Sequence, residues 1–206
     1  MSLINKPKNR GDTLIEVLFA TTVFSLVAVG AMSIMNQGTA TSLRALEITL
    51  ARQEIDSQAE TLRFLNASYI SSYRSGATSY SGPAEQWRKT RLKTVASVSA
   101  FSAGSACAKP SRGFILNART ATLPATSTTT LLQLAQTYSR VHYDNADNVI
   151  AAEGIWIEAV SMDTSGYQNQ TNAGYIDFHI RACWDSPGQS VPVTLGTIVR
   201  LYEPRG

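Results

Sequence analysis

A run of apolar residues near the N-terminus, interrupted by one carboxylate, constrains this chain more than any other feature. The run extends from Leu14 to Met35, and Glu16 is the charged residue within it. A helix of about 20 apolar residues is long enough to cross a lipid bilayer. A lone carboxylate in such a helix costs about 2.5–3.5 kcal/mol or more, so it normally has a partner and a purpose. The run therefore predicts a membrane helix that carries one functional charge.

Three fates of this segment fit the basic residues that precede it, Lys6, Lys8 and Arg10. An uncleaved anchor would keep these positive charges on the cytoplasmic side of the membrane. A secretory signal would be removed whole, with Ala28-Val-Gly-Ala31 as its small-residue cleavage site. In the third, a short leader is removed and the apolar helix is retained. Glu16 argues against the removable signal, because a carboxylate in the apolar core weakens membrane insertion.

The third fate is supported by a family resemblance. The basic leader that ends in Gly11, the sequence Thr13-Leu-Ile-Glu-Val-Leu18 and the apolar run occur together in this order. This combination resembles the N-terminus of the type IV pilin-like family, the prepilins and pseudopilins of pili, type II secretion and DNA-uptake machines. The motif covers about residues 6–35, and the helical similarity reaches about residue 65.

The resemblance implies roles for three residues. A prepilin peptidase would cleave after Gly11, remove residues 1–11 and methylate the new amine on Asp12. Glu16, the fifth residue of the mature chain, would offset the charged amine of a neighbouring subunit and set axial register. Opposite charges in a low dielectric attract strongly when paired and are costly when apart. Asp12 departs from the usual phenylalanine or methionine at this position, so a carboxylate within the same chain competes for the amine.

The function implied by the resemblance is that of a structural subunit of a pilus-like filament. The precursor would be a single-pass membrane protein, and the processed subunit would enter a filament at the cell surface. Its partners would be the prepilin peptidase, other pilin subunits and the membrane platform protein of the assembly machine. Long irregular loops and a mature net charge near zero favour a minor pilin or pseudopilin over a main subunit.

The pattern along the chain predicts an α+β fold, in which a long N-terminal helix packs on a small C-terminal antiparallel sheet. The helix has two halves, because residues 12–37 are apolar nearly all round and residues 38–70 are amphipathic. The amphipathic half carries one apolar stripe at steps of three and four residues, suited to packing on a sheet. The stripe consists of Ile48, Ala51, Ile55, Ala59, Leu62 and Leu65.

Residues 71–206 are predicted to form an external globular domain. Residues 71–130 are predicted to be loop-rich, because three segments within them, 71–82, 100–106 and 117–130, are rich in Ser, Gly, Thr and Ala. Residues 131–138 favour a short helix with Thr130 as its N-cap. Residues 150–204 predict a β-meander of three strands, and the second strand alternates strictly between apolar and mixed faces. Its apolar face carries Ile176, Phe178, Ile180, Ala182 and Trp184.

The charge distribution raises a second functional hypothesis. The net charge of +3 comes from the leader, which holds three basic residues and no acidic ones. Residues 63–119 hold nine basic residues and only one acidic residue, with acidic segments on both sides. Basic and aromatic side chains together suit single-stranded nucleic acid. The alternative is therefore a membrane-anchored module that captures DNA or another acidic polymer through Arg88, Lys89, Arg91 and Lys93, although a subunit-contact or solvated face is favoured for this region.

The two cysteines predict one structural disulfide. Cys107 and Cys183 lie outside the apolar run and far apart, with no spacing typical of zinc or redox sites. In an exported domain such a pair normally forms a disulfide bond. Cys183 is on the face of its strand that points away from the helix, where it could tether the loop region that contains Cys107.

The sequence gives no indication of catalysis. The two histidines, His142 and His179, are not at metal-ligand spacing, and Asp144–Asn148 lacks the complete calcium-loop pattern, so it predicts a turn. No phosphate-binding loop, nucleophile elbow or metalloprotease motif occurs. We expect a chain that is not an enzyme and has no cofactor and no metal.

Overall fold

The computed structural model describes residues 12–74, 77, 79–95, 97–98, 107–126, 128–161, 174–187 and 189–204. The helices are α1 (Asp12–Ser72), α2 (Gly82–Arg91) and α3 (Thr128–Leu131). The strands are β1 (Thr94–Val95), β2 (Leu132–Gln133), β3 (Arg140–Tyr143), β4 (Val149–Glu153), β5 (Ile155–Ser161), β6 (Tyr175–Trp184) and β7 (Val193–Tyr202). The chain divides into two compact units, Met1–Ala45 and Leu46–Gly206. The predicted α+β arrangement is confirmed.

In the second unit the strands form two sheets. The larger sheet has the order β1-β5-β6-β7; β1 is parallel to β5, and the other pairs are antiparallel. The smaller sheet has the order β2-β4-β3 and contains the β3–β4 hairpin. The predicted meander corresponds to β5, β6 and β7. Residues 150–153, at the start of the region predicted as meander, belong to β4 of the smaller sheet instead.

The amphipathic part of α1 packs on the larger sheet as its stripe predicts. Five of the six stripe residues are buried, and Ile48 is partly buried against the core. The apolar face of β6 lies opposite, and all five of its predicted residues are at most 1% exposed. Apolar burial, at about 25 cal/mol per Å², stabilises this helix–sheet layer.

A glycine marks the point where the chain passes from one sheet to the other. Gly154 lies between β4 and β5 with φ +61°, a conformation that side chains disfavour. A Cβ atom there would come within 2.3 Å of the Cys183 carbonyl oxygen. The Gly154 N–H donates to Gln133 in the smaller sheet, and its carbonyl accepts from Cys183 in the larger one. Only glycine fits this junction without strain.

Two local predictions differ from the structure. The short helix predicted for residues 131–138 is wrong, because the helical turn α3 ends at Leu131 and Leu132 begins β2. Pairing of β2 with β4 supplies backbone hydrogen bonds that outweigh local helix propensity. The region predicted as loops contains α2, whose Trp87 is fully buried. Helix α2 has Pro83 in its first turn, where the missing N–H costs nothing.

Stability is expected to fall in acid partly because of one ion pair between β6 and β7. Arg200 donates to both oxygens of the Asp177 carboxylate at 2.7 Å, and it holds the pKa of Asp177 below its usual range. Such a carboxyl stabilises the fold above its unfolded pKa of about 3.9, and that stabilisation is lost as the pH falls through the folded pKa. In urea unfolding across this range, Asp177→Asn should therefore lose less stability below about pH 4 than the native chain.

The exposed Asp185 supplies the control for this measurement. Asp185→Asn also removes one carboxylate but leaves the Arg200–Asp177 pair in place, so it shows what the loss of a charge alone does. If Asp177→Asn loses as much stability in acid as the native chain does, the Arg200 pair does not contribute to the acid sensitivity.

Candidate membrane and assembly segment

In the unit Met1–Ala45, the described part of α1 is apolar and exposed. Its 18-residue hydrophobic window has a mean hydropathy of 2.1, and none of that window is buried. The helix is long and apolar enough to cross a membrane, which makes it a candidate membrane span. Between Leu14 and Met35 its large apolar side chains, all at least 42% exposed, are Leu14, Ile15, Val17, Leu18, Phe19, Val23, Phe24, Leu26, Val27, Val29, Met32, Ile34 and Met35.

Three hydroxyl groups in this segment donate to carbonyl groups of the helix itself. Thr21 donates to the Leu18 carbonyl at 3.0 Å, and Ser25 donates to the Thr21 carbonyl at 2.7 Å. Thr22 donates to the carbonyl of Phe19 at 2.8 Å. Because these three hydroxyls already have acceptors, Thr21, Thr22 and Ser25 add little cost to burial in a lipid or protein environment. Glu16 is then the polar side chain between Leu14 and Met35 that costs most to bury, because it is charged.

Glu16 lies in the first turns of α1 and is exposed. Leu14 to Met35 contains no basic residue, so no cation within this stretch can pair with the carboxylate. Once lipid or other helices cover the apolar surface, the Glu16 carboxylate needs a positive charge from outside the stretch. The cleavage predicted after Gly11 and the leader, residues 1–11, lie outside the described residues; α1 begins at Asp12.

The four basic residues of the alternative hypothesis lie on and just after α2. Arg88 donates to both carboxylate oxygens of Glu85 at 2.8 Å. Arg91 pairs with Glu203 at 2.9 Å, donates to the Tyr69 hydroxyl at 3.0 Å, and its side chain is 15% exposed. Lys89 is exposed and Lys93 half-buried. Two of the four cations are thus already paired with carboxylates of the same chain.

A local reason accounts for this basic cluster. Arg88, Lys89 and Arg91 form the last turn of α2, whereas Glu85 is in the first turn. Cations near the C-terminus of a helix and carboxylates near its N-terminus both interact favourably with the helix dipole. Helix α2 therefore explains the charge pattern without a polyanion. Lys89 remains the exposed member of the four.

The predicted disulfide is confirmed, and it links Cys107 to Cys183 of β6 with a Cα–Cα distance of 5.6 Å. Both cysteines are buried, at 7% and 2% exposed. Cys183 alternates with the apolar residues of β6, so it lies on the face of the larger sheet opposite α1. The bond therefore fastens the segment at Cys107 to that second face.

Sequence reasoning missed three polar residues that fix the second unit. Gln58 is fully buried in α1 and makes two 3.0 Å hydrogen bonds with the backbone of Leu116. Glu47 accepts hydrogen bonds from the Trp184 indole at 3.1 Å and from the Ser186 hydroxyl at 2.9 Å. The third is Glu203, which accepts from the Trp87 indole at 3.0 Å. Each contact is remote in sequence, and only Gln58, a polar residue beside an apolar stripe, gave any signal.

The histidines sit in ordinary polar surroundings. His142 Nε2 lies 3.3 Å from the Glu153 carboxylate, and burial lowers the pKa of His179. Within the described ranges, no group of three His, Cys, Asp or Glu side chains is placed to hold a metal ion.

Comparison of the chain with protein-family models, curated proteins and solved structures finds no match. Any function assigned to it therefore rests on its own residues and their geometry.

Proposed function

We propose that this chain is a structural subunit of a type IV pilus-like filament. It is held in the membrane as a precursor, processed after Gly11 and assembled through its N-terminal helix. The supporting observation is the exposed apolar part of α1, with Glu16 as the charged residue between Leu14 and Met35. A minor pilin or pseudopilin fits better than a main subunit, and the filament lies at the cell surface.

The position of Glu16 favours a filament over a simple anchor. A simple anchor gains nothing from a carboxylate that costs about 2.5–3.5 kcal/mol to insert. A subunit that packs its helix against identical or related helices can recover this cost, because the N-terminal amine of a neighbour supplies the missing cation. Cleavage after Gly11 would create such an amine close to the carboxylate along the helix. Lipid covers the apolar surface before assembly, and neighbouring helices cover it afterwards.

Processing and partners follow from the same segment. The prepilin peptidase acts at Gly11, the platform protein of the assembly machine extracts the subunit, and other pilin subunits surround the helix. The first experiment is the intact mass and N-terminal sequence of the chain isolated from its own cells. A start at Asp12 with one added methyl group supports the proposal. A start at Met1 would reduce the chain to an anchor, and a start near Met32 would mean a removed signal.

Assembly is expected to depend on the charge of Glu16. Glu16→Gln should leave the chain in the membrane and reduce its content in sheared filaments about tenfold or more, since a buried amine then lacks its partner at a cost of several kcal/mol. The measurement is the ratio of filament to membrane chain by quantitative immunoblot.

Glu60→Gln is the matched control, because Glu60 is an exposed glutamate of the same helix that pairs only locally with Arg63. It should enter filaments at the native level. If Glu16→Gln enters filaments as well as Glu60→Gln does, the register role of Glu16 is wrong.

A further inference from the structure

Among the residues that the structure describes, the last strand, β7, leaves one edge of the larger sheet open. In the order β1-β5-β6-β7, the ten residues of β7 pair with β6 on one side only. The Glu203 N–H donates to the Gly174 carbonyl, so the odd-numbered residues of this strand bond towards β6. The even-numbered residues then direct their N–H and C=O groups to the open side.

The open edge is accessible over a definite length. At its C-terminal end the Tyr202 carbonyl accepts a hydrogen bond from the Asn66 amide of α1 at 3.1 Å, so that end is partly covered. At its N-terminal end Pro192 precedes the strand and has no N–H to offer. Between these limits four alternate residues are all exposed, and each presents one donor and one acceptor. They are Thr194, Gly196, Ile198 and Arg200.

This stretch lacks the features that protect natural edge strands from pairing. Such edges usually carry lysine, proline, a bulge or an inward-pointing charge. Here no irregularity interrupts the β6–β7 register, and the one charged residue is Arg200. Arg200 is already neutralised by Asp177 and lies over the Tyr175 ring at 4.0 Å. A second strand can therefore approach without meeting an unpaired charge.

We propose that two copies of this chain pair through β7, antiparallel and in register about Thr197. Each copy then contributes the four alternate N–H and C=O groups to hydrogen-bonded pairs with its partner. This pairing goes beyond the proposed function and does not depend on it, because it uses only the second unit.

The side chains are self-complementary in this register. On the outer face Ile198, which is 61% exposed, lies opposite Gly196 of the other copy, which leaves room for it. Arg200 lies opposite Thr194, so no like charges face each other. On the inner face the half-buried Val193 meets the half-buried Leu201, and the half-buried Leu195 meets the buried Val199, so the three half-buried residues remove apolar surface from water.

A single-cysteine cross-link in the full-length chain tests both the pairing and its register. No free cysteine is present among the described residues, and the chain's two cysteines are bonded to each other. In the proposed register the two Thr197 residues form a non-hydrogen-bonded pair with Cα atoms about 4.5 Å apart, within disulfide range. Mild oxidation of Thr197→Cys in detergent, where neither copy is held in a membrane, is therefore expected to give mainly a covalent dimer on a non-reducing gel.

Tyr202→Cys is the control on the same strand, since Tyr202 is 63% exposed but lies far from its own copy in this register. A separation of ten residues along the strands is about 34 Å, so this variant should stay monomeric. Equal cross-linking of both variants would mean random collision and would overturn the proposal. A Thr197→Cys chain that stays monomeric, or that links only to a protein of different mass, would overturn self-pairing.

A second substitution in the Thr197→Cys background separates edge pairing from contact through the N-terminal helix. Ile198→Lys places a charge on the open edge, and Ile198→Pro removes an N–H that points away from β6, so both leave the β6–β7 hydrogen bonds in place. Each is expected to lower the dimer yield about tenfold, which corresponds to about 1.4 kcal/mol of pairing free energy. Dimer yields unchanged in both would place the contact elsewhere and overturn the proposal.

Discussion

Replacing Cys107 and Cys183 together with alanine is expected to lower the free energy of unfolding by about 4 kcal/mol. The bond joins residues with a sequence separation of 76, and the chain-entropy model gives about 4.5 kcal/mol for a loop of this size. Urea unfolding of the full chain in detergent, followed by tryptophan fluorescence, measures the change. All three tryptophans lie in Leu46–Gly206, so the signal reports on that unit.

The native chain in the presence of a reductant is the control for this disulfide prediction. Reduction should reproduce the effect of the double substitution, because both release the same loop. A loss below about 1 kcal/mol in both experiments would mean that the unfolded chain is already compact around the two cysteines. The prediction would then be wrong even though the bond is present.

Truncation of the buried indole of α2 is the second large effect. Trp87→Ala should destabilise the second unit by about 3–5 kcal/mol, the usual cost of removing a fully buried aromatic side chain. Trp87 is 0% exposed, its ring centroid lies 5.5 Å from that of Phe178, and its indole N–H donates to Glu203. The same urea unfolding experiment measures the loss through the two remaining tryptophans.

Trp87→Phe separates packing from hydrogen bonding in this contact. Phenylalanine keeps most of the contact with Phe178 and loses the bond to Glu203, so we expect a smaller cost of about 1–2 kcal/mol. Equal costs for alanine and phenylalanine would assign the stabilisation to the hydrogen bond. A cost near zero for alanine would show that α2 is not part of the cooperative unit.

The elements that could be predicted from the sequence are those with a regular period. The stripe from Ala51 to Leu65 follows the helix repeat, and β6 follows the strand repeat from Ile176 to Trp184. Both patterns arise because one face of an element is buried against another. The disulfide was predictable for a simpler reason, since two cysteines allow a single intramolecular pairing.

The elements that sequence reasoning missed depend on contacts between distant residues. Helix α2 has one large buried residue, Trp87, and a single residue gives no hydrophobic periodicity. Pro83 and Glu85 are helix-start signals from which the helix could have been predicted. The two-residue strand β2 exists only because β4 lies beside it. The partner of Gln58 could not be predicted for the same reason, because the Leu116 backbone is 58 residues away.

The candidate site also has a part that could be predicted from the sequence and a part that could not. Glu16 and its apolar surroundings could be identified from the sequence, because the relevant property is an excess of apolar residues around one charge. The basic region could not be interpreted from composition, since its meaning depends on whether each cation has a partner. Glu203, more than a hundred residues after Arg91, supplies that partner. A count of charges therefore overstates the surface that is available to an acidic polymer.

The position of Glu203 also affects when the protein can fold. Its carboxylate joins α2 through Trp87 and Arg91, and β7 just before it provides one of the two neighbours of β6. A chain that emerges from the ribosome at about 5–20 residues per second cannot close this core until residues through Glu203 are free. The second unit should therefore remain unfolded throughout most of its synthesis. In that state a translocation channel that accepts unfolded chains could still transport it.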